Sequence, residues 1–337
     1  MSGTGQGDIQ APPLFNVVIN FAMELAMISK SVSGGFTLQK RLSSRIPAKY
    51  VTDADYADDL AVLDDSKDGL QESTNAIADY CSLGGLTINV KKTKCMNIAK
   101  YHKQRRFTEN EVLDIDVYGN PIDQVTSFTY LGSVISSDGS LDDELTTRIG
   151  KASGAFNTIN NIWVNKGISL KTKVRIYKAA IITILTYGAE VWSPTSSQIS
   201  RLEVFNHRCL RRILKIKWDD FVSNAAVRDQ TVSCKVEEQI RCTRLRWFGH
   251  LARMSADRLP NFLLSWYPSH GQRSVGAPRC NWRDSVIADI RLLTDNNEMT
   301  FKEAIDLAQN RSRWFDLTRG NATRGRKKQH VQAVARL

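Results

Sequence analysis

The chain has 337 residues, 42% of them hydrophobic, which suffices for two or three domains with ordinary globular cores. Its longest apolar segments are interrupted by polar residues, which excludes a bilayer-spanning helix, and the start MSGTGQGDIQAPP lacks the pattern of a signal peptide. The formal net charge is +11, but residues 1–150 carry 14 Lys and Arg against 20 Asp and Glu, whereas residues 151–337 carry 32 against 15.

The basic second half predicts a polyanionic partner such as a nucleic acid. The alternative is a solubility charge that happens to be unevenly distributed. Neither interpretation involves a membrane.

The first predicted element is a helix that begins at Pro12 and Pro13, two residues that a first helical turn tolerates. Residues at helical spacing predict its core face: Leu14, Val17, Val18, Phe21, Ala22 and Leu25.

The stretch AKYVTDADYADDLAVLDDS indicates a strand, a tight turn and a second strand. A helix follows in SKDGLQESTNAIADYCSLGG, ending at Gly84 and Gly85, with an apolar stripe of Leu70, Thr74, Ile77 and Cys81. The segment LTINVKKTKCMNIA alternates like a strand, and turn signals at residues 120–121 and 137–139 mark a strand-rich piece.

From about Leu141 the pattern is helical, so we place the main domain boundary near residue 140. The helix in QISRLEVFNHRCLRRILKI has an apolar face of Ile199, Leu202, Phe205, Cys209, Ile213 and Ile216, with basic residues mostly opposite. The stretch EEQIRCTRLRWFGHLARM repeats this arrangement. We expect four tryptophans to be core residues: Trp163, Trp192, Trp247 and Trp282.

The six cysteines are widely spaced and contain no CxxC pair, which indicates neither a zinc ribbon nor a disulfide framework. Cys234, Cys242 and His250 are separated by seven residues each, which is not a tight ligand spacing, and the sequence leaves open whether they bind a metal. Reduced thiols fit a soluble intracellular protein of the nucleus or cytoplasm.

Four aspartates lie within seven residues in DADYADDLAVL: Asp53, Asp55, Asp58 and Asp59. Because like charges repel, such a cluster indicates either a solvent-exposed loop or a cation site. Asp58 and Asp59 fall at the predicted turn, where adjacent carboxylates can converge on one ion, and Mg²⁺ often takes one or two protein carboxylates. Two such ions can support phosphoryl transfer.

Four segments, in this order, resemble motifs of the reverse transcriptases of non-LTR (LINE-like) retrotransposons, of the endonuclease–reverse transcriptase group. GQGD with PLFN resembles motif B, YADD motif C, GLTINVKKTK motif D, and YLGS the primer grip. EQIRCTRLRWFGHLARM and GAPRCNWRD resemble the region of these proteins beyond the thumb. YADD alone is a weak signal, but four motifs in order are a strong one.

The resemblance implies an α+β fold: a partial right-hand polymerase palm made of helix, YADD hairpin, helix and strands, then an all-α thumb and a basic helical C-terminal region. The implied domains are residues 1–140 for the palm, 141–218 for the thumb, and 219–337 for the C-terminal region with a flexible tail.

The resemblance also implies site residues. Asp58 and Asp59 would hold catalytic Mg²⁺, and Lys92 would neutralise or protonate the departing pyrophosphate. Gln6 and Gly7 would contact the incoming nucleotide and the templating base. Tyr56 would pack beneath the template–primer. Leu131 and Gly132 would form the primer-grip turn that steadies the primer end.

The implied partners are an RNA template, a DNA primer and, in the complete enzyme, deoxynucleoside triphosphates. The residues expected to contact the nucleic-acid backbone are Arg208, Arg211, Arg212, Lys215, Arg241, Arg244 and Arg246. For Lys92, a solvated surface charge remains the alternative, and for Asp53 and Asp55 solvent exposure is the default expectation.

The 337 residues show no fingers segment and no motif A with its own metal-binding aspartate. We therefore expect a truncated enzyme with an incomplete metal site and little or no polymerase activity alone, since the loss of one metal ligand costs orders of magnitude in rate. Two alternatives stay open: a nucleic-acid-binding module without catalysis, and a non-functional transposon relic.

Overall fold

In the computed structural model of the protein, the described residues are 9–29, 35–41, 43–45, 47–98, 112–266 and 281–318. They divide into two compact units, one of residues up to Ser140 and one of residues from Leu141 onward. None of the described helices is long and apolar enough to cross a membrane.

The first unit combines two helices with short strands that pair two by two. Its helices are α1 (Ala11–Ser29) and α2 (Lys67–Leu83). Its strands are β1 (Phe36–Gln39), β2 (Lys49–Val51), β3 (Asp53–Tyr56), β4 (Asp59–Val62), β5 (Lys94–Cys95), β6 (Asp116–Val117), β7 (Asn120–Pro121), β8 (Asp123–Gln124), β9 (Ser127–Tyr130) and β10 (Ser133–Ser136). The β5–β8 pair is parallel, and the β1–β2, β3–β4, β6–β7 and β9–β10 pairs are antiparallel.

Helix α1 packs on α2, and its buried residues share only Ala22 with the face that its periodicity predicts. The buried side chains are Ile19, Ala22, Met23 and Ala26, whereas Val17 is 66% and Phe21 62% exposed. The helix is apolar almost all round, so helical spacing alone does not select a face. The packed face carries two alanines, whose small side chains let α2 approach closely.

Helix α2 matches its prediction at both ends. The Ser66 hydroxyl caps the first turn by accepting a hydrogen bond from the Gly69 amide, and the helix ends before Gly84 and Gly85, where Gly85 has φ +74°. The alternation predicted a strand after this helix, but residues 86–93 do not form one. The Asn89 carbonyl accepts hydrogen bonds from the amides of Lys92 and Thr93, which closes a turn instead.

The second unit is helical throughout its described residues. Its α-helices are α3 (Asp142–Thr158), α4 (Asn160–Val164), α5 (Leu170–Ile176), α6 (Thr183–Leu185), α7 (Ser196–Leu214), α8 (Asn224–Thr231), α9 (Val236–Ala252), α10 (Leu259–Ser265), α11 (Trp282–Thr294) and α12 (Phe301–Gln309). A π-helical segment (Tyr177–Ile182) joins α5 to α6, and 3₁₀ turns lie at Ala189–Val191 and Trp218–Asp220. Helices with small sheets place the chain in the α+β class.

Two hydrophobic clusters form the core of this unit, and α9 contributes to both, through Val236 and Ile240 to one and through Leu245 and Phe248 to the other. The four tryptophans expected in the core are there: Trp163 and Trp192 are buried, and Trp247 and Trp282 are partly buried against the second cluster. The buried face of α7 also contains the predicted apolar residues Leu202, Phe205, Cys209 and Ile213.

Candidate active site and nucleic-acid interface

The clustered aspartates lie on the β3–β4 hairpin. Asp53 pairs with Val62 and Tyr56 with Asp59, which leaves Ala57 and Asp58 as a two-residue turn. Ala57 has φ +55°, a left-handed conformation that two-residue hairpin turns require and that costs a non-glycine residue about 1 kcal/mol. The hairpin therefore places Asp58 at its tip and Asp59 on the first position of β4.

The two faces of this hairpin differ in environment. Because side chains alternate along a strand and cross-strand partners share a face, Asp59 shares one with Tyr56, and Asp55 shares the other with Leu60. Leu60 packs against the core between α1 and α2. Asp58, Asp59 and Tyr56 are exposed. The two predicted metal-binding carboxylates are thus adjacent and open to solvent.

Asp55 does not behave as an ordinary solvated carboxyl group, although its residue surface is exposed. Its pKa is raised to about 6, chiefly because its carboxyl group is partly buried, and also by the negative charge of Asp53 and a hydrogen bond to the Asp53 side chain. The Thr52 hydroxyl in turn donates to the Asp53 carboxylate. Asp53 and Asp55 therefore form a coupled acidic pair beside the hairpin tip.

This pair predicts a pH dependence. The pKa of Asp55 is expected to be about 6, against 3.8 for an ordinary aspartate, when its carboxyl carbon is titrated by NMR. Since the folded state holds the proton more tightly, the stability from protonated Asp55 is full below about pH 3.8 and is lost as pH rises through about 6. Asp53→Asn should lower the pKa of Asp55, whereas Asp58→Asn, the matched control, should leave it nearly unchanged. A wild-type value near 3.8 would contradict the pairing.

The second predicted functional turn closes the β9–β10 hairpin. Tyr130 pairs with Ser133, so Leu131 and Gly132 form a two-residue turn. Their φ angles are +48° and +84°, the left-handed pair that a type I′ turn requires. Glycine adopts this conformation readily, but for the bulky Leu131 it stores strain of order 1 kcal/mol. The predicted primer-grip residues thus occupy a tight, strained hairpin tip.

Tyr130 joins the two hairpins, a link that the sequence analysis missed. Its hydroxyl donates to the Ala54 carbonyl at 2.7 Å, and the Asp59 carbonyl lies 3.4 Å from the same oxygen. Burial raises the pKa of Tyr130, and the charges of Asp55 and Asp59 raise it further, which keeps the hydroxyl protonated as a donor. The sequence shows only that Tyr130 precedes a turn, and this does not identify Ala54, 76 residues away, as its hydrogen-bond partner.

The structure does not connect the other predicted site residues of the first unit, Lys92, Gln6 and Gly7, with Asp58 and Asp59. Lys92 is exposed in the turn closed by Asn89, and no hydrogen bond or ion pair among the described residues joins its ammonium group to Asp58 or Asp59. Gln6 and Gly7 lie outside the described residues.

Asp58 and Asp59 fit a magnesium site in part. Their oxygen atoms are the hard ligands that Mg²⁺ prefers, and one or two protein carboxylates can hold it together with phosphate oxygens. Within the part of the chain that the structure describes, no group of three or more His, Cys, Asp or Glu side chains could hold a metal ion. Cys234, Cys242 and His250 therefore do not form such a group either. The Cys242 thiol contacts the Thr318 carbonyl instead.

The basic residues of α7 differ in what they contact. Arg208 and Lys215 are exposed, and neither makes an ion pair with a described residue. Arg211 donates to the Val222 carbonyl at 2.6 Å, and Arg212 donates to the side-chain oxygens of two asparagines on the α3–α4 segment, Asn157 and Asn160. Arg211 and Arg212 therefore have hydrogen-bond partners. The Arg208 guanidinium lies 5.9 Å from the centre of the Phe205 ring but, like the Lys215 ammonium, it makes no ion pair with a described residue and can reach a phosphate.

The basic residues of α9 differ more sharply. Arg246 is exposed, but Arg244 is only 7% exposed and donates to Asp289 at 2.7 Å and to the Trp192 carbonyl at 2.7 Å. Arg241 contacts the other oxygen of Asp289 at 3.0 Å. A buried guanidinium group that is already paired does not reach a phosphate, so the expected backbone contact of Arg244 does not fit this structure. Amphipathic spacing did not reveal the pairing of Arg244 because its partner, Asp289, lies 45 residues away in sequence.

Comparisons with known proteins agree with the motifs. Residues 1–135 match the family described as reverse transcriptase (RNA-dependent DNA polymerase). The chain is 25% identical to a transposon-derived protein of Caenorhabditis elegans over 288 residues, which cover 83% of this chain and 99% of that protein. It is 27% identical to the RNA-directed DNA polymerase from mobile element jockey of Drosophila melanogaster over 232 residues, which cover 64% of this chain and 22% of that polymerase. The resemblance that the motifs indicate is confirmed.

Proposed function

From the reverse transcriptase match of residues 1–135, we propose that this chain contributes part of the palm and the thumb of an RNA-directed DNA polymerase of a retrotransposon. The observation that carries the proposal is the pair of hairpins in the first unit. One presents Asp58 and Asp59 at its tip, the other presents Leu131 and Gly132, and the Tyr130 hydroxyl ties the second to the first.

In this proposal each hairpin has a separate task. Asp58 and Asp59 would hold Mg²⁺, which would supply electrostatic activation of the primer hydroxyl and of the leaving pyrophosphate. The rigid Leu131–Gly132 turn supports the primer end, and the Tyr130 hydrogen bond keeps the distance between primer support and metal ligands constant. Tyr56, exposed on the face of Asp59, is placed to contact the template–primer.

Other assigned roles follow from the family. Lys92 neutralises or protonates pyrophosphate from its exposed turn, and Gln6 and Gly7 approach the incoming nucleotide and templating base. Arg208, Lys215 and Arg246 track phosphates from the basic second unit, in which we place the thumb and the region beyond it.

We further propose that polymerisation requires a third carboxylate, which the described residues do not bring to the hairpin. Among the described residues Asp58 and Asp59 have no third ligating partner, and the Asp53–Asp55 pair faces away from Asp59. Because two-metal transfer depends on a complete coordination shell, we expect the residues present to bind template and primer without detectable extension.

Two measurements test the metal site and the polymerase separately. Mn²⁺ is expected to broaden the NMR signals of residues 56–60 selectively, and Asp58→Asn with Asp59→Asn should abolish this effect; uniform broadening would contradict the metal assignment. Primer extension on an RNA template with Mg²⁺ should give no product while template–primer binding persists.

Product that disappears in the Asp58→Asn, Asp59→Asn double variant would show that the third carboxylate is dispensable, and would contradict that part of the proposal. Absence of template–primer binding would contradict the polymerase assignment itself.

A nucleic-acid-binding module without catalysis is the second candidate. The exposed Arg208, Lys215 and Arg246 favour it, because phosphate contacts do not depend on Asp58 or Asp59. Salt-dependent binding that survives the double aspartate substitution, together with a failure of Mn²⁺ to localise at the hairpin, would favour this candidate over the polymerase.

A further inference from the structure

An open concavity of about 830 Å³ lies beside the C-terminal half of α7, wholly within the second unit. Basic side chains and one tryptophan dominate its lining: Arg208, Arg211, Arg212, Lys215, Lys217 and Trp218. We call it the α7 concavity. Its position on a helix that the sequence already marked as basic suggests an anionic occupant.

The lining contains one carboxylate, Glu203, which offsets only one of the five basic charges. One Glu203 oxygen accepts a hydrogen bond from the Val236 amide at 2.7 Å, so that carboxylate is engaged by the α9 N-terminus. His207 is bonded through both ring nitrogens, to the Glu203 carbonyl and to the Arg228 guanidinium. Since the guanidinium can only donate, the imidazole is neutral, with its proton on Nδ1.

Trp218 is the unusual residue of the lining. It is 88% exposed, whereas Trp163, Trp192 and Trp314 are at most 3% exposed. Its exposed indole presents a flat apolar ring that an external partner can cover. Arg208 and Lys215, two exposed cations without ion pairs to described residues, line the same concavity, as does the exposed Lys217.

The indole stands on a fixed turn. The Asp220 carboxylate accepts a hydrogen bond from the Lys217 amide at 2.6 Å, and Arg211 holds the following segment through the Val222 carbonyl and the Asn224 side chain. A ring presented on a rigid turn loses little conformational entropy when a flat partner stacks on it.

We propose that the α7 concavity binds an unpaired stretch of RNA or DNA, with one base stacked on Trp218 and the adjacent phosphates bound by Arg208 and Lys215. The inference rests on the nucleic-acid binding of the proposed function and adds to it a single-strand site. An unpaired strand fits better than a duplex, because only an unstacked base exposes the flat surface that an aromatic ring can cover. The five basic side chains favour a polyanion over an apolar protein segment.

The test measures the affinity of the full chain for a single-stranded oligonucleotide that contains 2-aminopurine, and for a matched duplex. Trp218→Ala is expected to weaken single-strand binding about 5- to 150-fold, because stacking of one base contributes about 1–3 kcal/mol. Duplex affinity should change by less than about twofold, and 2-aminopurine quenching should be lost. Trp218→Phe should restore most of the affinity, since it retains an aromatic face.

Phe221 provides the matched control. It is 90% exposed, three residues from Trp218, and is not part of the concavity lining. Phe221→Ala should leave single-strand affinity within about twofold, while Lys215→Gln should reduce the salt slope by about 0.7, the value for one single-strand phosphate contact.

The possible failures are distinguishable. Equal losses for single strand and duplex in Trp218→Ala, or an equal loss in Phe221→Ala, would overturn the stacking site. Unchanged affinity in Trp218→Ala would also overturn it and leave the proposed function intact. A wild-type chain that binds neither ligand would overturn both.

Discussion

Replacing Asp289 with alanine is expected to destabilise the second unit by about 3–5 kcal/mol, because it leaves the buried guanidinium of Arg244 without its counter-charge. Asp289 on α11 is itself buried, and its two oxygens accept hydrogen bonds from Arg241 at 3.0 Å and Arg244 at 2.8 Å, both on α9. Arg244 and Asp289 are 45 residues apart in sequence, and their ion pair connects α9 with α11. Urea unfolding followed by tryptophan fluorescence measures the effect.

Glu237 is the matched control, since it is the other carboxylate partner of Arg241, at 3.5 Å, but its side chain is 48% exposed. Glu237→Ala should cost less than about 1 kcal/mol, as exposed ion pairs do. Asp289→Asn, which retains the shape and the acceptor oxygen, should fall between the two. A similar cost for Asp289→Ala and Glu237→Ala would show that water reaches Arg244 and that the pair is not buried in solution.

Replacing Gly249 with alanine is expected to cost about 3 kcal/mol, which combines steric overpacking with a strained indole hydrogen bond. A β-carbon at Gly249 would lie 2.5 Å from Cδ1 of Trp314 and would also overlap its Nε1. The indole cannot swing away easily, because Trp314 is 3% exposed, packs on Phe248, and donates from Nε1 to the Leu245 carbonyl at 3.0 Å. Thermal or urea unfolding would report the loss.

Gly154→Ala in α3 is the control for backbone effects. A β-carbon there meets no atom within 4 Å, and alanine is the better helix former, so the substitution should be neutral or stabilise the chain by up to about 1 kcal/mol. If Gly249→Ala were equally harmless, the close approach of α9 to Trp314 would not exist in solution. Both helical glycines look alike in the sequence, and only their neighbours in space separate them.

At the candidate site, local sequence pattern was sufficient to predict the hairpin but not its contacts. Turn chemistry and alternation placed Asp58 at a hairpin tip, and the structure has that hairpin with a two-residue turn. The roles of Asp58, Asp59, Leu131 and Gly132 came from the order of family motifs, and they remain proposals. Tyr130 was not predictable in its role, because a hydroxyl can donate to any carbonyl and nothing local identifies Ala54 as its acceptor.

By itself the sequence determined the α+β class, the change to an all-helical pattern near residue 140, the family resemblance and the apolar face of α7, because each depends on short-range periodicity or on contiguous motifs. Only the tertiary structure decided which face of α1 is buried, that Arg244 pairs with Asp289 in the core, and that Trp218 is exposed while other tryptophans are not. These depend on partners distant in sequence. Helical spacing indicates that a face is apolar or basic, but which neighbour packs against it follows from the packing of the whole unit.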